Sequence, residues 1–73
     1  RPMIMNIYRI QLGDDQFSIH YSYNLKNIHT NLSQYQYTIR IIFTENELRS
    51  VSAQIRMQEC NDDDPGIQIS CII

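Results

Sequence analysis

Three basic or titratable side chains fall on the same side of the extended segments that this sequence predicts. His20, Arg40 and Arg56 each alternate with apolar residues, so an extended chain turns all three away from the apolar side. Guanidinium groups bind carboxylates and phosphates through paired hydrogen bonds, and an imidazole adds a donor or an acceptor. These residues are therefore a candidate site for an anionic or polymeric ligand, such as a sugar or a nucleic acid. The alternative is an ordinary solvated sheet face, which is polar without any ligand.

The tyrosines form a second candidate site. In the predicted sheet they collect at one end of the apolar side, where each buried hydroxyl needs a hydrogen-bond partner. A rim or a protein interface meets that need more easily than a core, and tyrosine is a common interface anchor. Together with two isoleucines of the C-terminal segment they make up the predicted contact surface for a protein partner or a second copy of the chain. Its members are Tyr8, Tyr21, Tyr23, Tyr35, Tyr37, Ile69 and Ile73.

No residues in the sequence have the spacing of a catalytic or metal site. His20 and His29 lie in different segments without zinc-ligand spacing. The acidic segment 59–64 precedes Pro65-Gly66 and is typical of a solvated turn rather than of a calcium loop. No nucleophile–base or acid–base pair assembles on one predicted surface. We therefore expect a protein that is not an enzyme and that holds no metal and no cofactor.

The two cysteines, Cys60 and Cys71, invite a disulfide. If segments 50–59 and 67–73 pair as a hairpin, Cys71 falls on the apolar side of the sheet and Cys60 on the polar side. This pairing favours free thiols, with a bridge as the alternative. Because disulfides are rare inside cells, free thiols slightly favour an intracellular location in a sequence that otherwise leaves location unknown.

Size and charge exclude several classes of protein. The chain has 73 residues, which is enough for a single small domain spanning 1–73. Its net charge of −2 disfavours a dedicated binder of nucleic-acid backbones. No apolar run approaches the roughly 20 residues of a membrane span. Arg1-Pro2 precede the first methionine, which leaves two explanations open: a vector-derived remnant, or a piece of a longer chain.

Alternation of polar and apolar residues predicts several strands. In antiparallel order they set apolar residues opposite each other, with Tyr8 against Tyr21 and Tyr23 against Tyr35. A slip of one residue would turn each set to the wrong face, which makes this agreement informative. The predicted strands are 3–12, 16–23, 35–44, 50–59 and 67–73.

Two segments allow a helix. Segment 24–34 has Leu25, Ile28 and Leu32 at helix spacing, so we expect a short helix or an ordered loop lying over the sheet. Segment 45–60 follows a possible capping box, but its alternation separates polar from apolar residues better than a helix does. A strand is therefore favoured there, and an α+β fold with a helix at 45–60 is the alternative.

The apolar side of the predicted sheet needs a cover, because a sheet cannot leave such a face in water. The sheet can curl on itself, segment 24–34 can lie over it, or a second chain can share it. We expect an all-β fold, a five-stranded antiparallel meander curled into a small barrel or roll. The expected function is a non-enzymatic protein-interaction or self-assembly module that uses the tyrosine-rich end of the sheet, an edge strand, or both.

Overall fold

The computed structural model describes residues 3–25, 33–61 and 63–73. These described residues form one four-stranded sheet and one helix. The sheet order is β3-β2-β1-β4; β2 is antiparallel to β1 and to β3, whereas β4 is parallel to β1. The elements in chain order are β1 (Met3–Gly13), β2 (Gln16–Leu25), β3 (Ser33–Phe43), α1 (Glu45–Gln58) and β4 (Ile67–Ile72).

The prediction of a five-stranded antiparallel barrel or roll is wrong. Segment 45–60 contains α1 instead of a strand, as in the α+β alternative. The chain crosses from β3 at one edge of the sheet to β4 at the other through this helix. The sheet is therefore mixed and open, and α1 is the cover that its apolar face needs.

Helix α1 begins where the sequence has its capping box. The Thr44 hydroxyl accepts a hydrogen bond from the Glu47 amide (3.3 Å), and the Glu47 carboxylate accepts one from the Thr44 amide (2.9 Å). Glu45 and Glu47 lie in the first turn and Arg56 in the last, which complements the helix dipole. The helix buries Leu48 and Ile55 at helix spacing, so its inward face is a narrow stripe.

The register of β1 differs from the prediction by one residue. Ile7, not Tyr8, lies opposite Tyr21, because a bulge between Gln11 and Gly13 shifts the pairing at the hairpin. The side of β1 that was expected in the core therefore faces away from α1. The residues concerned are Ile4, Tyr8, Ile10 and Leu12.

The core lies between the sheet and α1. Ile7 and Ile19 are fully buried at its centre. Burying a side chain of this size contributes about 1.5–3 kcal/mol, so these two residues anchor the two layers. The core residues are Met5, Ile7, Phe17, Ile19, Tyr21, Phe43, Leu48 and Ile55.

The prediction of free thiols is also wrong, because Cys60 and Cys71 form a disulfide with their Cα atoms 6.1 Å apart. The hairpin on which that prediction depended does not exist. Cys60 follows α1, and Cys71 lies on β4 opposite Ile7, whose side chain faces the helix. The bond ties the end of α1 to an edge strand, and the argument from free thiols to an intracellular location no longer holds.

The predicted helix or loop at 24–34 falls largely on residues 26–32, which lie outside the described residues. Its two ends are strand: β2 runs to Leu25 and β3 starts at Ser33. No helix within the described ranges has the length and apolar character needed to cross a membrane.

Candidate functional site

Four of the five tyrosines form a cluster on the face of the sheet that carries α1. The pairing of β2 with β3 sets Tyr21 opposite Tyr37 and Tyr23 opposite Tyr35, which is the arrangement the alternating pattern predicts. We call Tyr21, Tyr23, Tyr35 and Tyr37 the tyrosine cluster. Tyr8 does not join it, because the shifted register turns its ring to the other face of the sheet.

Tyr21, the inner member of the tyrosine cluster, is buried and hydrogen-bonded, and Tyr23 beside it is half-buried. Tyr21 is 6% exposed, and its hydroxyl donates to Glu59 Oε2 over 2.6 Å. Burial raises the pKa of Tyr21 well above its usual range, and the hydrogen bond and negative charge of Glu59 raise it further. Burial also raises the pKa of Tyr23, with smaller effects from Tyr37 and Glu59. Both phenols therefore ionise only at a higher pH than an exposed tyrosine does.

Tyr35 and Tyr37, the outer members of the tyrosine cluster, are exposed. Tyr23 and Tyr37 meet edge to face, with ring centroids 5.4 Å apart and planes at 79°. Together with Met3 and Tyr35 they line an open cleft of about 290 Å³. Its walls are aromatic and aliphatic, so it suits an apolar or aromatic side chain of another protein.

Strand β3, which carries Tyr35 and Tyr37, contributes little to the core. Every residue from 35 to 42 is exposed, and of the β3 residues with described side chains only Phe43 is buried. The large apolar side chains on this strand are between 50% and 67% exposed, and they are Tyr35, Tyr37, Ile39, Ile41 and Ile42. An edge strand of this composition is an unusual surface for a domain that acts alone.

The two C-terminal isoleucines of the predicted contact surface lie away from the tyrosine cluster. Ile69 lies on β4, at the edge of the sheet opposite β3, where it pairs with Met5 of β1. Its side chain is half-buried against the core. Ile73 is also half-buried against the core. The structure therefore brings together four of the seven residues of that surface, and leaves Tyr8, Ile69 and Ile73 elsewhere.

His20, Arg40 and Arg56 do not share a surface. His20 stacks on Tyr8 on the face of the sheet away from α1, with ring centroids 5.4 Å apart. Arg40 turns toward the helix and forms an ion pair with Glu47 at 3.0 Å. Arg56 is part of α1 itself. The bulges that surround Arg40 in β3 and the helix at 45–58 separate the three side chains.

A hydrogen-bonded network surrounds His20. Its Nε2 lies 2.6 Å from the Ser18 hydroxyl and its Nδ1 lies 3.1 Å from the Thr38 hydroxyl. A serine beside an imidazole is the arrangement of an activated nucleophile, and sequence reasoning missed this pair although the two residues are only two apart on one strand. Ser18 is 2% exposed, so its oxygen is not presented to a substrate. The network joins β2 to β3 through side chains.

A second cleft, of about 400 Å³, lies between β1, α1 and the end of the chain. Arg9, Arg49, Arg56 and Ser52 are among the residues that line it, and we call it the arginine groove. The sequence contains no signal for this site, because the cleft forms only when 45–58 is a helix packed on the sheet. Arg56 was predicted to lie with His20 and Arg40 on the polar face of the sheet. The structure places it in the arginine groove instead.

Within the described residues, no group of three or more His, Cys, Asp or Glu side chains is placed to hold a metal ion. Comparison with known proteins gives no match: no family model fits the chain, no curated protein aligns with it and no solved structure matches it.

Proposed function

We propose that this protein is a non-enzymatic self-assembly module in which β3 pairs with β3 of a second copy. The observation that carries this proposal is the exposure of the apolar side chains of β3 from Tyr35 to Ile42. A strand that is rich in tyrosine and isoleucine and gives only Phe43 to the described core adds little to the stability of one chain. Its composition is explained if a second chain covers it.

The edge of β3 has few of the features that keep edge strands from pairing. It contains no lysine and no proline, and its single charged residue, Arg40, is held by Glu47. Irregular pairing with β2 begins after Thr38, which leaves residues 33–38 as a regular free edge. The opposite edge, β4, is only six residues long and its alternate residues are half-buried. Residues 33–38 are therefore the better template for another strand.

A second copy is the occupant that this edge suits best. Antiparallel pairing about Gln36 sets Tyr35 of each chain opposite Tyr37 of the other, so that the two tyrosine clusters meet at a two-fold axis. Aromatic pairs across such strands are favourable, and tyrosine is enriched among the residues that dominate binding energy. The net charge of −2 per chain opposes this association only weakly.

Sedimentation equilibrium over a range of concentrations tests the proposal. We expect a reversible dimer of twice the 8.7 kDa chain mass. Tyr35→Lys removes an anchor and places a charge at the paired edge, so it should raise the dimer dissociation constant at least about tenfold. Met57→Lys is the matched control, because Met57 is also an exposed apolar residue (77%) but belongs to α1 and not to the edge of β3. A monomer at every concentration, or equal effects of the two variants, would refute self-assembly through β3.

A further inference from the structure

We propose that the arginine groove binds a small organic anion that carries a phosphate or a carboxylate group. The groove is formed by β1, α1 and the end of the chain, whereas the assembly surface is on β3, so this site does not depend on the proposed function. Its volume of about 400 Å³ is within the range of about 300–1,000 Å³ that is usual for small-molecule sites.

Most N–H donors of the guanidinium groups in the groove have no acceptor among the described residues. The Arg9 side chain makes no hydrogen bond or ion pair with any described residue, and the Arg49 side chain contacts only Glu45, at 3.8 Å. Arg56 donates one hydrogen bond, of 3.3 Å, to a main-chain oxygen of Ile73. A guanidinium group carries five N–H donors in a planar fork that matches the oxygens of a carboxylate or a phosphate. An oxyanion in the groove would use donors that the chain leaves open.

Ser52 supplies an independent observation. It lies on the inward face of α1, is only 3% exposed and lines the groove. Its hydroxyl is the one buried side-chain polar atom without a hydrogen-bond partner among the described residues. Buried hydroxyls nearly always have a partner, so an orphan in the wall of a cleft calls for an explanation. The Ser52 oxygen itself is covered, so the hydroxyl reaches a ligand in the cleft only when its side chain rotates about χ1 toward the groove.

The rest of the lining limits the charge and shape of the ligand. Asp14 and Glu45 also line the groove, so three arginines face two carboxylates. This excess of one positive charge suits an anion of low charge and disfavours a polyanion such as a nucleic acid. Phe17 and Leu48 provide an apolar part of the wall. The ligand that fits is a compact anion with an aromatic or aliphatic body.

Titration of the disulfide-intact chain, followed by amide and arginine Nε chemical shifts in NMR spectra, tests this site. The probes are phenyl phosphate, benzoate and, as the uncharged comparison, benzyl alcohol, all at 0.15 M salt. We expect one or both anions to cause saturable shifts at Arg9, Ser52 and Arg56, and benzyl alcohol to cause none. The stronger of the two anions identifies the head group. Non-saturating shifts, or equal shifts with the uncharged probe, would overturn the proposal.

Two variants separate a binding site from a general charge effect. Arg9→Gln should weaken binding about tenfold, whereas Arg40→Gln, which removes a cation held by Glu47 outside the groove, should leave it unchanged. Ser52→Ala removes the orphan hydroxyl and improves helix propensity, so the fold should be no less stable while binding weakens about fivefold. Unchanged binding in Ser52→Ala, or equal loss in the two arginine variants, would refute the site.

Discussion

The hydroxyl of Tyr21, on the second strand of the sheet, donates a 2.6 Å hydrogen bond to Glu59, the residue that ends the only helix among the described residues. The two residues are 38 apart in the sequence. This bond, the Cys60–Cys71 disulfide next to it and the buried side chains of Leu48 and Ile55 fix α1 on the sheet. The Tyr21–Glu59 bond also fixes Tyr21 within the tyrosine cluster, whose outer members, Tyr35 and Tyr37, are exposed.

Tyr21→Phe removes this bond and leaves the ring in place. A hydrogen bond to a charged partner contributes about 1.5–3 kcal/mol, so we expect the free energy of unfolding to fall by about 2 kcal/mol in urea denaturation. Tyr35→Phe is the control, because the Tyr35 hydroxyl makes no hydrogen bond with the residues the structure describes. Equal losses in the two variants would show that the Tyr21–Glu59 bond does not stabilise the fold.

The raised pKa of Tyr21 also predicts how stability changes in alkali. The unfolded chain ionises its tyrosines near the usual pKa of about 10, whereas folded Tyr21 resists ionisation. The contribution of Tyr21 is therefore complete below about pH 10 and is lost as pH rises above it. In a spectrophotometric titration at 295 nm, the last phenol to ionise before unfolding should disappear in Tyr21→Phe. Its persistence would contradict the assignment.

Glu47 has the opposite pH dependence. The Thr44 amide, and then the Arg40 side chain, hold the pKa of its carboxyl below the usual range. Its contribution is present above the unfolded pKa of about 4.3 and is lost as pH falls through the lower folded value. Urea midpoints measured from pH 7 to pH 3 should therefore fall less in Glu47→Gln than in the original chain. Glu45→Gln, also in the first turn of α1, should retain most of the original acid sensitivity; equal flattening would contradict the capping role.

The register of β1 is tested by two conservative substitutions. Ile7 is fully buried against α1, whereas Ile10 lies on the other face of the sheet and is partly exposed. Ile7→Val should lower the free energy of unfolding by about 1 kcal/mol, and Ile10→Val by less than about 0.5 kcal/mol. A larger loss in Ile10→Val than in Ile7→Val would support the register expected from alternation alone.

Reducing the disulfide should weaken the fold substantially. A bond between residues separated by 11 positions removes chain entropy from the unfolded state that corresponds to about 3 kcal/mol. A domain of this size has only about 4–11 kcal/mol of stability in total. Urea unfolding with and without reductant measures the loss, and a Cys60→Ser/Cys71→Ser double variant should be insensitive to reductant. An unchanged midpoint in the original chain would show that the bond does not stabilise the fold.

Alternation alone was enough to place the pairing of Tyr23 with Tyr35 and of Tyr21 with Tyr37. It was wrong further along the two strands, where irregular pairing sets Ile19 opposite Arg40 and Phe17 opposite Phe43. It failed at α1, where Val51, Ala53, Ile55 and Met57 alternate although only Ile55 is buried. The capping box at Thr44 was the better signal, because it satisfies specific backbone groups at the start of a helix. Alternation is uninformative in a helix that buries only a narrow stripe.

The remaining errors follow from two local features. A single bulged residue between Gln11 and Gly13 exchanges the side chains of β1 that face α1 with those that face away from it. The residue types in the turn do not predict this bulge. The disulfide and the arginine groove both depend on α1, since a helix brings Cys60 to Cys71 and Ser52 to Arg9 across long stretches of chain. The interpretation as five strands therefore made the disulfide only the alternative and contained no sign of the groove.

Amide hydrogen exchange on β3 tests the proposed self-assembly most directly. Of the amides in residues 33–38, those that β2 does not bond face the free edge, and they acquire partners only if a second strand adds there. We predict that their protection rises with protein concentration and that Tyr35→Lys abolishes this rise while Met57→Lys does not. Fast exchange of these amides at every concentration would contradict the pairing of β3 with its copy.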